Sequence, residues 1–340
     1  MNMELSNPPR VARILVESEV RELISMKAAR AAVAEAFALL AMGKAVLPAV
    51  MDIDVVEHHG EFHAKGAYLR GAPFYSIKTA SGFFENPAKG LPAGEGVTLV
   101  FDAETGLLQT VIFDGGFLTD LRTAAAGAVA AEYLSATGVT HAAIIGAGVQ
   151  GRYQLSALRS VRPITHATIF DLDAAKAKSY ALEMGEADGL TVTVANSVED
   201  AVRDAQIVVT TTPSRAPYLR AEWLRPGVHI TAMGSDMPAK QELDPGVLGV
   251  ADKVVADYLA QCLTQGEIHH AIKAGAMTAA DVYGDLGEIV AGLKPGREGD
   301  SEITVVDLTG VGVQDAAVAN IVAGEAARRG LGRTLSELSA

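Results

Sequence analysis

The sequence has a single cysteine, Cys262, in 340 residues. One thiol cannot close an intrachain disulfide or build a thiolate zinc site, so a reduced, cytoplasmic setting is expected. Basic charge is also scarce: 28 Lys and Arg stand against 41 Asp and Glu, a net charge of −13. Nucleic acids and anionic membranes attract basic surfaces, so neither is expected as a partner. Charges or glycines interrupt every apolar run well before the length of a membrane span. The first residues, through Pro8-Pro9-Arg10, lack a signal-peptide core and transit-peptide character and read as a loose end. The chain has no HExxH-type spacing, no GxSxG elbow and no Walker loop. In Glu57-His58-His59-Gly60-Glu61-Phe62-His63 the adjacent histidines would point to opposite faces of a strand, so an exposed hairpin is expected and no metal site. His269-His270 falls in a helical segment, where packing or surface exposure is the default.

At 340 residues, 49% hydrophobic and 20% charged, the chain can bury two sizeable cores. Its organising stretch runs from His141 to Asp171. The apolar run Ala142–Ile145 leads into Gly146-Ala147-Gly148-Val149-Gln150-Gly151; a helical segment follows, then a second apolar run, Ala167–Phe170, closed by Asp171. This is the order of a dinucleotide-binding βαβ unit. Gly146 permits the tight turn, Gly148 lets backbone N–H groups approach a pyrophosphate, and Gly151 lets the helix pack closely on the strand.

Strand-like runs recur at Ala142–Ile145, Thr168–Asp171, Thr191–Val194, Ile207–Thr211, Val228–Ala232, Lys253–Ala256 and Ile303–Val306, with helical segments between most of them. The alternation predicts a Rossmann-type, doubly wound parallel sheet. Before it the texture differs. Ser18–Gly43 carries a helical stripe of Ala29, Val33, Ala36, Phe37 and Leu40, and Val50–Asp114 holds short strands broken by turns, a mostly antiparallel sheet with a helix on it. Thr119 or Asp120 can cap a helix whose first turn carries Arg122 and whose alanine-rich body suits close packing. Residues 294–300 read as a polar, exposed loop, and Val313–Arg329 as an alanine-rich helix that crosses back to the first domain. The fold class is therefore α/β. A discontinuous α+β dimerisation and substrate domain (1–130, rejoined by 312–340) accompanies a dinucleotide-binding domain (131–311).

Several residues suit chemistry. Asp171, at the end of the second Rossmann strand, accepts hydrogen bonds from ribose hydroxyls and repels a 2′-phosphate; Leu172 follows where an NADP enzyme often places an arginine, so NAD is favoured over NADP. Asp173 is the better candidate for capping the next helix. Thr210-Thr211-Thr212-Pro213 and Met233-Gly234-Ser235-Asp236 end the fourth and fifth strands, the edge where such sheets bind ligands, and Lys240 could meet cofactor phosphate. For Asp236 a capping turn is an equal reading on spacing alone. Lys78 lies in an apolar strand and shares a face with Ser76 and Ala80, where the alternative is a solvated edge. Arg122 can hold a carboxylate in bidentate fashion, or only cross-link structure.

Taken together, these segments resemble the ornithine cyclodeaminase/µ-crystallin family over nearly the whole chain. The marks are Ser76-Ile77-Lys78, Gly82-Phe83-Phe84-Glu85-Asn86-Pro87, Phe101-Asp102-Ala103-Glu104-Thr105-Gly106, Leu118-Thr119-Asp120-Leu121-Arg122-Thr123, the glycine turn, Gly234-Ser235-Asp236 with Lys240-Gln241-Glu242-Leu243, and Thr309-Gly310-Val311-Gly312-Val313-Gln314-Asp315. The resemblance implies a homodimer of two-domain subunits acting on a small imino or amino acid. It implies Lys78 and Arg122 in the substrate pocket and Asp236 as acid/base. Around NAD it implies Thr123, Gly146, Gly148, Val149, Gln150, Gly151, Asp171, Thr212, Met233, Lys240 and Gly310. Family members include cyclodeaminases, imine reductases, amino-acid dehydrogenases and the hormone-binding µ-crystallin. The sequence departs from the ornithine-specific pattern twice. An arginine is missing near Leu47-Pro48-Ala49, and Lys65 stands where cyclodeaminases carry an acid. A lysine there would repel a second ammonium group and favour an anion, so Lys65 joins the substrate-binding candidates. The wording is closest to the ectoine-utilisation branch. The expectation is an NAD(H)-dependent reductase of a carboxylated imine, reversible as an amino-acid dehydrogenase, with a cyclodeaminase or a non-catalytic dinucleotide-gated binding protein as alternatives.

Overall fold

The change of texture near residue 120 corresponds to a change of architecture. A computed structural model describes residues 12–83, 85–187 and 189–335, so Pro8-Pro9-Arg10, Phe84 and the last five residues of the returning segment lie outside the described residues. The chain divides into two compact units: one takes the chain up to Ser25, Ala45–Thr119 and the chain from Asp315 onward, the other Met26–Lys44 and Asp120–Gln314.

In the first unit the strands are β1 (Ala12–Val16), β2 (Ala45–Val46), β3 (Met51–Val55), β4 (Gly60–Leu69), β5 (Phe74–Phe83), β6 (Gly94–Asp102) and β7 (Leu108–Phe113), with β16 (Arg333–Leu335) at the chain's far end. They form one sheet in the order β16-β1-β7-β6-β5-β4-β2, with β3 on β4. Every pairing is antiparallel except β1 with β7. Alternation along the strands sorts the two faces. Leu15, Ile112, Val100, Ser76 and Ala67 are buried on one side. Val16, Phe113, Ile77, Met51 and Ile53 fall on the other by register and are between 39% and 54% exposed.

The expected helix over 18–43 is two helices, α1 (Glu17–Leu23) and α2 (Met26–Ala41), because Ile24 takes an extended conformation between them. The stripe of Ala29, Val33, Ala36 and Phe37 is buried. It belongs to the second unit, packed on α10 (Leu286–Val290), where a Cβ on Gly287 would stand 2.1 Å from the Phe37 carbonyl oxygen.

The second unit holds β8 (His141–Ile145), β9 (His166–Phe170), β10 (Thr191–Val194), β11 (Ile207–Thr210), β12 (His229–Ala232), β13 (Lys253–Ala256), β14 (Gly284–Asp285) and β15 (Thr304–Asp307). Their order is β10-β9-β8-β11-β12-β15-β13-β14, parallel throughout. The first five follow the doubly wound order, β15 then lies between β12 and β13, and the strand order reverses beside β8, where such sheets open a crevice. The crossover helices are α4 (Val149–Arg159), α5 (Ala174–Gly185), α6 (Val198–Val202), α7 (Pro245–Gly249), α8 (Leu259–Cys262) and α9 (Gly266–Lys273). The core strands read as continuous apolar runs because both faces are covered.

The helix α3 spans Phe117–Leu134 and starts earlier than its sequence suggests. Asp114, not Thr119 or Asp120, takes the first-turn N–H of Leu118, at 2.6 Å, which leaves Thr119 and Asp120 to point elsewhere. The other long helix, α11 (Gly312–Arg329), sends Asn320 to both backbone groups of Phe74, at 3.2 and 3.1 Å. The 294–300 loop is more anchored than a polar surface loop. Arg297 donates to the Leu134 carbonyl at 2.8 Å and Lys253 reaches Glu298 at 2.8 Å. Among the described residues no helix is long and apolar enough to cross a membrane.

Candidate functional site

The glycine turn sits where β8 ends, at the strand-order reversal. Gly146 has φ +112°, and a Cβ there would lie 2.6 Å from the Thr211 hydroxyl. Gly148 is the extended N-cap of α4, with open space where a side chain would go and no side-chain cap on the helix. The first N–H groups of α4 have no intrahelical acceptor. At Gly151 a Cβ would meet the Gly146 carbonyl oxygen at 2.2 Å. Each glycine is thus required for a different reason: left-handed backbone, open approach, and close packing.

Asp171 follows β9 directly. One of its oxygens accepts from the Ala147 N–H and the other from the Asp173 N–H, both at 2.8 Å. Asp173 caps α5. A cavity of about 450 Å³ opens beside the turn, walled by Gly146, Asp171, Leu172, Thr212, Pro213 and Tyr218 among others. Leu172 is 96% exposed.

The three threonines after β11 have separate tasks. Thr211 donates to the carbonyls of Ile145 and Gly146 at 3.1 and 3.2 Å. Thr210 and Thr212 turn instead to Glu242, as does Gly234 after β12. Met233 is 8% exposed. Asp236 is half exposed, and Lys240 stands 2.6 Å from it as an i,i+4 ion pair.

Arg122 is buried, donates to the Gln314 side chain at 2.7 Å, and lies 3.0 Å from where a Gly310 Cβ would be. Gly310 has φ +83°, and its N–H and that of Thr309 are held by buried Asp257 at 2.8 and 2.7 Å. Gln150 donates to Asp120 at 2.8 Å, and Gln154 donates to the Thr123 carbonyl at 3.0 Å. Ala124, Ala128 and Ala157 bring α3 and α4 close, as the alanine-rich sequence anticipates.

In the first unit Lys78 shares the buried face with Ser76. It donates to the Thr119 hydroxyl and to Asp315, the latter at 3.3 Å. Lys65 is the direct cross-strand partner of Lys78, so both side chains leave the same face a few ångströms apart. His63 is flanked by Asp52 at 2.5 Å and Glu61 at 3.6 Å. Among the described residues no group of three or more His, Cys, Asp or Glu could hold a metal ion.

Sequence reasoning passed over a set of buried carboxyls beneath the second unit's ligand edge. Glu242 is fully buried; burial raises its pKa and hydrogen bonds from Thr210 and Thr212 oppose the shift. Glu267 takes the backbone N–H groups of Glu242 and Leu243 at 2.8 and 3.1 Å. Burial first, and then the neighbouring Asp307, push it up to about 9. Burial carries Asp307 itself up to about 8. Only the Lys-Gln-Glu-Leu wording hinted at any of these, and it gave no role.

Three solved structures share this architecture over nearly their full length. An archaeal alanine dehydrogenase dimer with bound NAD is 39% identical, covers 96% of this chain and 99% of its own, and superposes with a TM-score of 0.90. The Δ1-pyrroline-2-carboxylate reductase of Thermococcus litoralis, solved with NADH and L-proline, is 34% identical, covers 95% and 100%, and has a TM-score of 0.90. The iminosuccinate reductase of Paracoccus denitrificans, solved with NAD+, is 32% identical, covers 96% and 99%, and has a TM-score of 0.88. The sequence pattern of the ornithine cyclodeaminase/mu-crystallin family matches residues 10–330, and the chain belongs to that family.

Proposed function

We propose that the protein is an NAD(H)-dependent reductase of a small carboxylated imine, reversible as an amino-acid dehydrogenase. The observation that carries the reading is the glycine turn with its cavity. An uncapped helix N-terminus, a Gly148 with no side chain in the way, and a carboxylate at the end of β9 suit a pyrophosphate and an adenosine ribose. Asp171 with exposed Leu172 after it favours NAD, since no arginine stands there for a 2′-phosphate. The bound nicotinamide supplies or accepts the hydride.

The chain's own residues supply positioning, charge and a proton. Arg122, fixed by Gln314 and lying on Gly310, is the carboxylate anchor, and Lys65 adds a second cation for an anionic substrate. Lys78 polarises the reacting nitrogen or carbonyl. Asp236 gives or takes the proton, with the Lys240 ammonium 2.6 Å from its carboxylate. Thr123, Val149, Gln150, Thr212, Met233 and Gly310 complete the cofactor surroundings. The relatives solved with NAD, NADH and L-proline support the cofactor and the substrate class. A homodimer in a reducing cytoplasm follows the same reading, with a second copy over the apolar outer face of the antiparallel sheet, where Phe113, Ile77 and Met51 are exposed.

The test is an NADH-oxidation screen of cyclic imines, iminosuccinate, and 2-oxo acids with ammonia or methylamine, with ammonia release from ornithine, lysine and diaminobutyrate measured in parallel. NADH oxidation by a carboxylated imine is expected. Ammonia release from a diamino acid without net change in NADH would replace the reading with a cyclodeaminase. NADH binding without turnover of anything would replace it with a binding protein.

A further inference from the structure

Glu242 is a carboxylate with hydrogen-bond donors on every side. One oxygen accepts from the Thr212 N–H at 2.6 Å, the Thr212 hydroxyl at 2.7 Å and the Tyr218 hydroxyl at 2.7 Å. The other accepts from the Thr210 hydroxyl at 2.6 Å and the Gly234 N–H at 2.8 Å. Its own backbone is held in turn: its N–H by Glu267 at 2.8 Å, and its carbonyl oxygen by the N–H groups of Tyr218 and Leu219 at 2.8 and 3.1 Å.

These donors belong to two strand ends and one cavity wall. Thr210–Thr212 closes β11, and Thr212 and Tyr218 line the cavity beside the glycine turn. Gly234 begins the turn that carries Asp236. The fit is close, since a Cβ on Gly234 would stand 2.5 Å from the Glu242 carboxyl carbon and 2.2 Å from the Thr212 carbonyl oxygen. Through Thr211, the same strand end is stitched to the Gly146 carbonyl.

We infer that Glu242 is a positioning residue: it sets the Thr212–Tyr218 wall of the dinucleotide cavity and the turn bearing Asp236 in one fixed relation. The inference rests on the dinucleotide reading above. Its chemical content is that both oxygens must accept. The Thr212 and Gly234 N–H groups cannot reverse their polarity as hydroxyls can, and each faces a different oxygen. A glutamine, though almost the same shape, must aim its NH2 at one of these two N–H groups whichever way the amide is turned.

The test compares Glu242→Gln with Glu242→Asp and the unaltered protein. NADH affinity is read by fluorescence titration, folding by thermal melting, and kcat and KM on whichever imine the screen identifies. Glu242→Gln is expected to stay folded and to bind NADH about tenfold or more weakly, because one buried N–H loses its acceptor and the wall must move to repair it. Glu242→Asp keeps two acceptors and should recover part of that loss. If Glu242→Gln gives no folded protein, Tyr218→Phe removes one donor from the cavity wall and should weaken NADH binding several-fold. A folded Glu242→Gln, or in its place Tyr218→Phe, with unaltered NADH affinity and kcat beside an NADH-binding parent overturns the inference alone. A parent that binds no NADH overturns the dinucleotide reading and this inference with it.

Discussion

Adding one methyl group at Gly151 gives the sharpest test of the glycine turn. In Gly151→Ala the new Cβ would stand 2.2 Å from the Gly146 carbonyl oxygen and 3.3 Å from the Ile144 side chain. A relaxed carbon–oxygen contact is about a full ångström longer, so α4 must lift or the turn must open by about that distance. Neither neighbour yields cheaply: the carbonyl is backbone, and Ile144 is fully buried in β8. Overpacking of this kind costs about 1–3 kcal/mol, which in a domain of this size lowers Tm by roughly 2–10 °C. The same displacement moves the N–H groups at the start of α4 away from their aim, so NADH binding should weaken by at least about tenfold. Thermal melting and NADH fluorescence titration read the two effects separately. A variant that melts within a degree of the parent and binds NADH unchanged would refute the packing argument and, with it, the assignment of Gly151 as the close-approach glycine.

Other substitutions probe the remaining parts. Asp171→Ser should narrow the preference for NADH over NADPH and, because Asp171 also holds the Ala147 N–H, cost about 1–2 kcal/mol of stability; an unchanged NADH-to-NADPH ratio of kcat/KM counts against the ribose role. Asp236→Asn should lower kcat by about 100-fold or more with NADH affinity nearly intact, whereas parent-like turnover would remove Asp236 from the chemistry. Phe113→Glu, on the exposed apolar face of the antiparallel sheet, should shift light-scattering mass toward the monomer; an unshifted dimer would mean that the second copy sits elsewhere. Stability should fall as pH rises from 6.5 to 9, because Glu267, lifted to about 9, and Asp307, lifted to about 8, keep protons in the folded chain that the unfolded chain releases near 4.5 and 3.8. His229, pushed down to about 3 by burial, is neutral in the folded chain throughout; its unfolded imidazole, ordinarily titrating at 6.5, still loses protons at the low end of the range and opposes the slope there, and drops out at higher pH. A melting temperature that holds or climbs between pH 6.5 and 9 is the contrary result, and Glu267→Gln should flatten the slope.

What could be read from the sequence was what short range determines. The turn at Gly146–Gly151 and the acid at Asp171 are legible because each requirement lies within one βαβ unit, so local pattern and local geometry coincide. Lys78 could be given a face by alternation alone. The helix start was misread because Thr119 and Asp120 are good caps by type, while the residue that takes the first-turn N–H is Asp114, three residues before Phe117 opens α3. The strands β1 and β16 escaped notice because the partners they pair with are distant in the chain. Likewise the stripe on α2 announces that something covers it and cannot say that the cover is α10.

Glu242 marks the limit of such reading in chemical terms. A glutamate after Lys240-Gln241 looks like surface, since an ionised carboxylate is costly to bury. What makes the burial possible is the convergence of five donors from positions 210, 212, 218 and 234, none of which announces a carboxylate partner. Two of those donors are backbone N–H groups, invisible to any residue-type argument. The threonine run after β11 therefore carries more information than its β-propensity suggests: Thr211 faces the glycine turn while its two neighbours face Glu242. Replacing Thr211 by valine should disturb the turn at Gly146 and leave the Glu242 contacts in place, whereas Thr210→Val should do the reverse. If both variants gave the same pattern of NADH affinity and melting temperature, the division of labour among the three threonines would be wrong, and β11 would be acting as a single rigid end.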